Sequence, residues 1–322
     1  MKYYISACLI IKNSIDLLEP WLQYHFFIGF EHIYLIDNHS NPKLFEYASI
    51  NNYIKQNKIT YIYDNTPVCQ IPKYNWVLET YGHESQWIAF FDCDEFIVLK
   101  QHNTIGDFIK NYEDFAAVSI CWYMFGSNNH IKHQPNLFEK YTMRKPLSCR
   151  YKSIVQPKYV ITMGVHHVVQ SVNGIKTVDE MKTIVSGIFT QYQCNVYTQL
   201  NHYIIRSLND FQLKHKVGGG NGGVRPLEFF DDLNKNSVTY CDAILQFMKR
   251  INFKLNLPSY DHFKYIAQME FNESPNEKVS SIVNKLILDP DLIIKIDADI
   301  NIDMIPYIDI INRFYPQRLI VS

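Results

Sequence analysis

The chain has 322 residues, with 31 Lys+Arg against 32 Asp+Glu and a formal net charge of -1 at pH 7. A charge so balanced excludes a protein built to grip nucleic acid or an anionic membrane, because neutralising phosphates needs a surplus of lysine and arginine. With 47% hydrophobic and 20% charged residues, it is too apolar to be disordered, and it is long enough for one large domain or a domain with an appendage.

The first element is the apolar, β-branched run Tyr3 to Ile11. One positive charge before it gives the outline of a signal peptide, but Lys12 and Asn13 close it with no small-residue cleavage pattern, so it is read as a buried strand. No apolar run approaches the ~20 residues needed to span a bilayer. The seven cysteines are scattered and never form Cys-x-x-Cys, which suits reduced thiols, no zinc site and a cytoplasmic location.

Leu17, Leu18, Trp21, Leu22, His25 and Phe26 then recur at helical spacing. His32 to Ile36 reads as a second strand, Leu44 to Ile54 as a helix, Ile59 to Tyr63 as a third strand, Tyr74 to Tyr81 as a helix and Trp87 to Phe91 as a fourth strand. Such βα alternation predicts an α/β fold with a mostly parallel sheet covered by helices on both faces. Ligands of such sheets bind beyond the carboxyl ends of the strands. All four ends are polar: Lys12-Asn13-Ser14, Asp37-Asn38-His39-Ser40, Asp64-Asn65 and Asp92-Cys93-Asp94-Glu95. Asx residues also end strands simply because they make turns, and for Asp64-Asn65 that reading is equally open.

Beyond Glu95 the pattern is mixed, with strand-like runs at Phe115 to Tyr123 and within Tyr151 to His167, and is read as a second half of the domain, where a second substrate would sit. Trp122, Tyr123 and Phe125 beside Gly126 either stack on a bound ligand's ring or belong to the core. The run Gly218 to Gly223, interrupted by Asn221, marks a linker or a loop. After it, Phe229 to Ile251, Val279 to Ile287 and Ile305 to Phe314 have helical spacing, which divides the chain into a domain over 1–224 and a helical extension over 225–322.

The chemistry centres on Asp92 and Asp94. Read as an extended segment beyond a buried strand, the pair projects to one side while Cys93 faces the other. Two neighbouring carboxylates repel unless a cation lies between them, and a hard ion with oxygen ligands, Mn²⁺ or Mg²⁺, is the natural occupant. A haloacid dehalogenase-type phosphatase also carries Asp-x-Asp and uses Mg²⁺, but there the motif follows the first strand; here it follows the fourth.

Several segments resemble glycosyltransferase family 92 and related family 2-like proteins. They are Cys8 to Asn13, Leu18 to His25 with Gly29, Tyr34 to Ser40, Phe91 to Phe96, Trp122 with Phe125-Gly126-Ser127, Lys152 to Pro157, and Asn201-His202-Tyr203 with Ser207, Phe211 and Lys214. The resemblance covers about Lys2 to Gly220 and implies a GT-A (Rossmann-like) fold and an inverting transfer from a nucleotide-sugar donor, a UDP-hexose, to a glycan or glycoconjugate hydroxyl. Asp92 and Asp94 match the metal-holding Asp-x-Asp, and His202 matches a late histidine that supplies a further ligand. Lys12, Asp37, Asp64, Asp92 and Lys214 are the expected donor contacts, with Lys214 near the diphosphate. Ser14 replaces a carboxylate common after the first strand in the family. An inverting enzyme needs a carboxylate base near the acceptor hydroxyl; Asp179 and Glu180 are expected there, with Glu139 and Asp210 as alternatives. The C-terminal helices are expected to shape the acceptor site or a homodimer contact. A catalytically decayed carbohydrate- or nucleotide-binding protein on the same fold is the non-enzymatic alternative.

Overall fold

The computed structural model describes residues 1–146, 148–190, 195–217 and 225–256, together with two short strands nearer the C-terminus. The first part follows the predicted alternation: β1 (Tyr3–Ile11), α1 (Ile15–Phe27), β2 (His32–Asp37), α2 (Ala48–Lys55), β3 (Ile59–Tyr63), α3 (Gln70–Tyr81) and β4 (Ser85–Phe90). Then come β5 (Glu95–Leu99), α4 (Ile105–Ile109), β6 (Ala117–Met124), α5 (Leu137–Lys140), β7 (Met143–Arg144), β8 (Tyr151–Val155), β9 (Val160–Met163), β10 (Val168–Ser171), β11 (Thr177–Asp179), β12 (Thr198–His202) and α6 (Leu208–Val217). The last described elements are α7 (Leu227–Asn236), β13 (Thr239–Tyr240), α8 (Ala243–Arg250), β14 (Ile294–Ile296) and β15 (Leu319–Val321).

The main sheet runs β3-β2-β1-β4-β8-β6-β12-β5, with β11 also paired to β6. β3, β2, β1 and β4 are mutually parallel, whereas β8 is antiparallel to β4 and β6 and β5 is antiparallel to β12. The α/β class expected from the sequence is therefore the one observed, with a Rossmann-like half sheet in the order 3-2-1-4. β1 lies between β2 and β4, so the loops after β1 and β4 part at a switch point and leave a crevice at the strand ends.

The strands of this half sheet are covered on both sides, which is why β2 is buried at every position. Tyr74 and Val77 of α3 pack with Cys8, Ile10, Tyr34, Ile36, Ile88 and Phe90. α1 is tied to β5 by two hydrogen bonds: Trp21 Nε1 donates to the Glu95 carbonyl at 2.9 Å and the Tyr24 hydroxyl to the Ile97 carbonyl at 2.7 Å. Each side chain buries a large apolar body and satisfies its polar tip. Trp122, Tyr123 and Phe125 are all buried, which makes them core rather than an exposed sugar platform.

The chain divides into compact units of Met1–Leu257 and Pro258–Ser322. Residues 225–256, assigned to the C-terminal extension from the sequence, form α7 and α8 within the first unit. Phe230 and Leu233 of α7 pack with Phe211 of α6, and Arg250 donates to the carbonyls of Leu99, Lys100 and His102. Gly126 lies so close to the end of α7 that an added Cβ would come within 2.6 Å of the Ser237 side chain. In the second unit, β14 and β15 pair in parallel. The glycine run and the predicted helices Val279 to Ile287 and Ile305 to Phe314 lie outside the described residues. No described helix is long and apolar enough to cross a membrane. Cys8, Cys69, Cys93, Cys121, Cys149 and Cys241 are free thiols.

Candidate active site

Asp92 to Asp94 do not form the extended segment expected from the sequence. They make a tight turn between β4 and β5, closed by the Glu95 amide donating to the Asp92 carbonyl at 3.0 Å. The physical reason is Glu95: its Oε2 accepts the Asp92 N–H at 2.8 Å and folds the segment back on itself. The end of β12 braces the turn, the Tyr203 amide donating to the Asp94 carbonyl at 2.9 Å. Register does the rest, because His202 is paired opposite Glu95 in the antiparallel β12–β5 ladder and opposite Met124 on β6.

Three predicted residues meet here. Asp94 is 2% exposed; its Oδ1 lies 3.3 Å from His202 Nε2 and its Oδ2 lies 2.6 Å from Lys214 Nζ. Asp92 turns to a different partner, Lys152 of β8, whose Nζ is 2.9 Å from Asp92 Oδ1; Gln70 Nε2 donates to the same oxygen at 3.2 Å. The donor atoms of Asp92, Asp94 and His202 are not gathered within 4.8 Å of one another.

The charges follow from burial and pairing. Burial alone would raise Asp92 and Asp94, but Lys152 overrides it at Asp92, and Lys214 with His202 overrides it at Asp94, so both sit below the usual carboxylate range. Glu95 is pushed well up by burial, against the pull of Lys152. Burial lowers His202, leaving a neutral imidazole able to offer a lone pair. Its Nδ1, buried without a hydrogen bond, lies 3.8 Å from Glu95 Oε1. Its ring packs edge-on against Trp122 at 4.4 Å between centroids, and Trp122 in turn meets His166 at 5.1 Å. Burial, reinforced by Lys152, takes His166 down to about 4.

The other predicted residues are elsewhere or otherwise engaged. Lys12 is exposed at the end of β1. Asp37 is buried and accepts from the Ser40 and Leu44 amides, each at 2.9 Å, and from the Tyr61 hydroxyl at 2.6 Å. Its carboxylate thus ties down the loop after β2. Asp64 caps its own turn through the Thr66 amide and pairs with Lys73 at 2.5 Å.

The structure does not bring Asp179 and Glu180 to the Asp92–Asp94 turn. Asp179 accepts from the Met181 and Thr183 amides, each at 2.9 Å. Glu180 accepts from the amides of Val196, Tyr197 and Thr198 and from the Thr198 hydroxyl. Thr198 begins β12 and His202 ends it, a separation of roughly 13 Å along an extended strand. Both carboxylates are taken up by backbone donors of neighbouring loops and of the start of β12. Of the alternatives, Glu139 is exposed on α5. Asp210 is buried and bound to His133 at 2.8 Å and to the Ser207 hydroxyl at 2.6 Å.

Among the described residues, the one trio of metal-ligand types within 4.8 Å is Asp16, His133 and Asp210. Arg206 already supplies the positive charge there, pairing with Asp16 and approaching Asp210 at 3.7 Å. The trio is therefore part of an ion-pair network that ties α1 to the start of α6.

Sequence reasoning missed Lys152, Gln70, Glu95 and His166 as parts of the site. Lys152 left a signal: a lysine in the middle of a strand that is buried at every position must face an anion.

The Glycosyltransferase family 92 model matches residues 11–218, more than half of the chain. The chain belongs to glycosyltransferase family 92. It is 26% identical over 182 residues to a family 92 protein of Ricinus communis, a stretch covering 52% of this chain and 31% of that protein. With a family 92 protein of Oryza sativa subsp. japonica it shares 24% identity over 157 residues, covering 48% and 27%. The matched segment thus spans less than a third of these relatives' length. Among solved structures, GalNAc-T7 with UDP, GalNAc and Mn²⁺ aligns at a TM-score of 0.40 and 11% identity, over 79% of this chain and 58% of that one. S. aureus TarS 1-349 in complex with UDP-GlcNAc aligns at 0.35 and 12%, over 88% and 85%.

Proposed function

We propose that this chain is a metal-dependent glycosyltransferase that moves a hexose, with inversion, from a UDP-linked donor to a hydroxyl of a glycan or glycoconjugate. The observation that carries the reading is the convergence on Asp94, at the ligand-binding edge of the sheet, of a neutral imidazole at 3.3 Å and an ammonium at 2.6 Å. The donor set suits a divalent ion, since it offers a hard carboxylate and a nitrogen lone pair, with the orphaned Nδ1 of His202 facing the Glu95 carboxyl group as an outer partner would. Asp94 and His202 would hold Mn²⁺ or Mg²⁺, with Asp92 beside them. When bound, the ion supplies Lewis acidity that offsets charge on the departing nucleotide diphosphate.

The chain's own residues set the charge balance. Asp92 is matched by Lys152 and Asp94 by Lys214. A divalent ion arriving with a doubly charged donor diphosphate adds no net charge to these two pairs. Departure of UDP adds negative charge, which a lysine ammonium at the rim can meet. Lys152 fixes Asp92 from beneath the turn, and Gln70 fixes it from α3. Inversion is proposed from the family resemblance, with a base other than Asp179 or Glu180.

The test is UDP release from UDP-hexoses by the full chain, with Mn²⁺ and with EDTA. Mn²⁺-dependent release from one donor, abolished by EDTA, is expected. Mn²⁺-dependent binding without any release would instead favour the decayed, binding-only reading, and phosphate release from a phosphomonoester would favour the phosphatase.

A further inference from the structure

The two lysines that meet the turn are held in different ways. The Lys152 side chain is 0% exposed and faces both Asp92 and Glu95. That of Lys214 is 38% exposed and reaches the site through its 2.6 Å bond to Asp94 Oδ2. A fully buried ammonium cannot leave its anion without a large desolvation cost, whereas a part-hydrated one on a flexible four-carbon stem can. Both oxygens of Asp94 are engaged, Oδ1 with His202 and Oδ2 with Lys214, so ligation of a cation there has to contend with the lysine.

We infer that Lys214 is a built-in counter-ion of Asp94 that competes with the divalent cation for this carboxylate and passes to the donor diphosphate when cation and nucleotide are both bound. The inference rests on the metal-dependent reading above and adds an order to it. The helix that carries Lys214 is anchored one turn earlier: Asp210 is bonded to Ser207 and His133 and lies beside Arg206. The exchange therefore asks for rotation of one side chain, not movement of α6. A cation arriving alone displaces Lys214 into water. A cation arriving with a diphosphate gives the ammonium a new anion. The two ligands then favour each other, and by linkage each tightens the other by the same factor.

The experiment is Mn²⁺ binding to the full chain, followed by the paramagnetic resonance of free Mn²⁺, with and without UDP. Wild type is compared with Lys214→Met, Lys214→Gln and Lys214→Arg, each first checked for a wild-type thermal melt. Wild type should bind Mn²⁺ weakly alone and more tightly with UDP. Lys214→Met and Lys214→Gln should bind Mn²⁺ alone about tenfold more tightly and lose most of the enhancement by UDP, within the usual range of such couplings. Lys214→Arg should resemble wild type. Unchanged or weaker Mn²⁺ affinity in both neutral variants would overturn the inference while leaving the metal site intact. Absence of Mn²⁺ binding in every protein, UDP present or not, would overturn the metal-dependent reading itself and the inference with it.

Discussion

Lys152 and Asp92 face each other across 2.9 Å, the lysine side chain fully buried and the aspartate side chain 30% exposed. The pair joins β8, an antiparallel strand inserted into the sheet, to the turn that carries the site. Removing one member of a buried ion pair usually costs about 3–5 kcal/mol, because the other charge is left uncompensated. Asp92 can partly rehydrate, which moves the expectation toward the lower end. Lys152→Met is thus expected to lower unfolding free energy by about 3 kcal/mol in urea melts. A loss under about 0.5 kcal/mol would mean that the pair holds nothing together.

The same lysine marks where sequence reading stopped. Periodicity exposed β1 and β3 to the residue, because both are runs of β-branched and aromatic residues bounded by polar ones. It exposed Asp92 and Asp94 because two carboxylates after a buried strand are conspicuous. What distinguishes Asp37 from Asp92 was not legible. Both stand at the carboxyl end of a buried strand, yet Asp37 satisfies two amides of its own loop and a tyrosine hydroxyl, and only tertiary placement of Tyr61 and Leu44 makes that visible. Asp179 and Glu180 misled for a related reason. Chain order gave them the place of a base, but Asp179 holds the turn after β11 and Glu180 holds the backbone at the start of β12. Glu95 folding the Asp-x-Asp segment into a turn is a local event, yet it depends on how β5 and β12 pair.

Asp94→Ala should remove Mn²⁺-dependent donor turnover by about a hundredfold or more, as loss of a group stabilising transition-state charge does. Stability should change little, since its strongest partner, Lys214, is near enough to solvent to hydrate. Circular-dichroism melts and UDP release measure the two effects separately. Wild-type turnover in the variant would remove Asp94 from the site.

His202→Ala removes the imidazole next to Asp94 and also its packing on Trp122 at 4.4 Å. Mn²⁺ affinity is expected to fall by more than the roughly 10–100-fold that losing even an outer partner of a ligand costs, alongside a modest drop in melting temperature. His202→Phe separates these effects, because a ring without a lone pair keeps the packing and cannot ligate. If His202→Phe binds Mn²⁺ as wild type does, the histidine is a packing residue.

Acid should destabilise the fold through two buried histidines that are not among the proposed ligands. Burial lowers His25 to about 3 and His32 to about 4, while both titrate near 6.5 when unfolded. Above about pH 6.5 neither state is protonated and the histidines are neutral in effect. As pH falls below that value, the unfolded chain takes up protons the folded chain refuses, so stability declines until pH reaches the folded values. Each histidine contributes a slope approaching about 1.4 kcal/mol per pH unit within its window. Urea melts at pH 7, 6 and 5 should show the decline, and His32→Gln should make it shallower. A flat profile over that range would contradict the burial of these rings.

Where the chain can be cut decides whether α7 and α8 belong to the catalytic unit. The sequence placed a boundary at 224/225 and so predicted that a chain ending near Gly220 keeps nucleotide binding. The packing argues for a later cut. Phe247 and Phe253 of the α8 region meet Tyr24 on α1 at 6.3 and 5.7 Å between ring centroids, and Phe253 meets Phe27 at 4.8 Å. Asn234 accepts the Ser127 amide at 2.7 Å, and Gly126 leaves room for Ser237. Ending the chain at Gly220 would expose these aromatic faces and leave the carbonyls of Leu99, Lys100 and His102 without the Arg250 guanidinium. Burying an aromatic side chain is worth about 1.5–3 kcal/mol, so losing several such contacts is comparable to the whole stability of a domain. A chain ending at Leu257 is expected to stay soluble, melt cooperatively and bind UDP with Mn²⁺ by calorimetry as the full chain does, whereas one ending at Gly220 should be insoluble or unfolded. If the shorter chain is folded and binds UDP with unchanged affinity, α7 and α8 are an appendage and the boundary lies at 224/225.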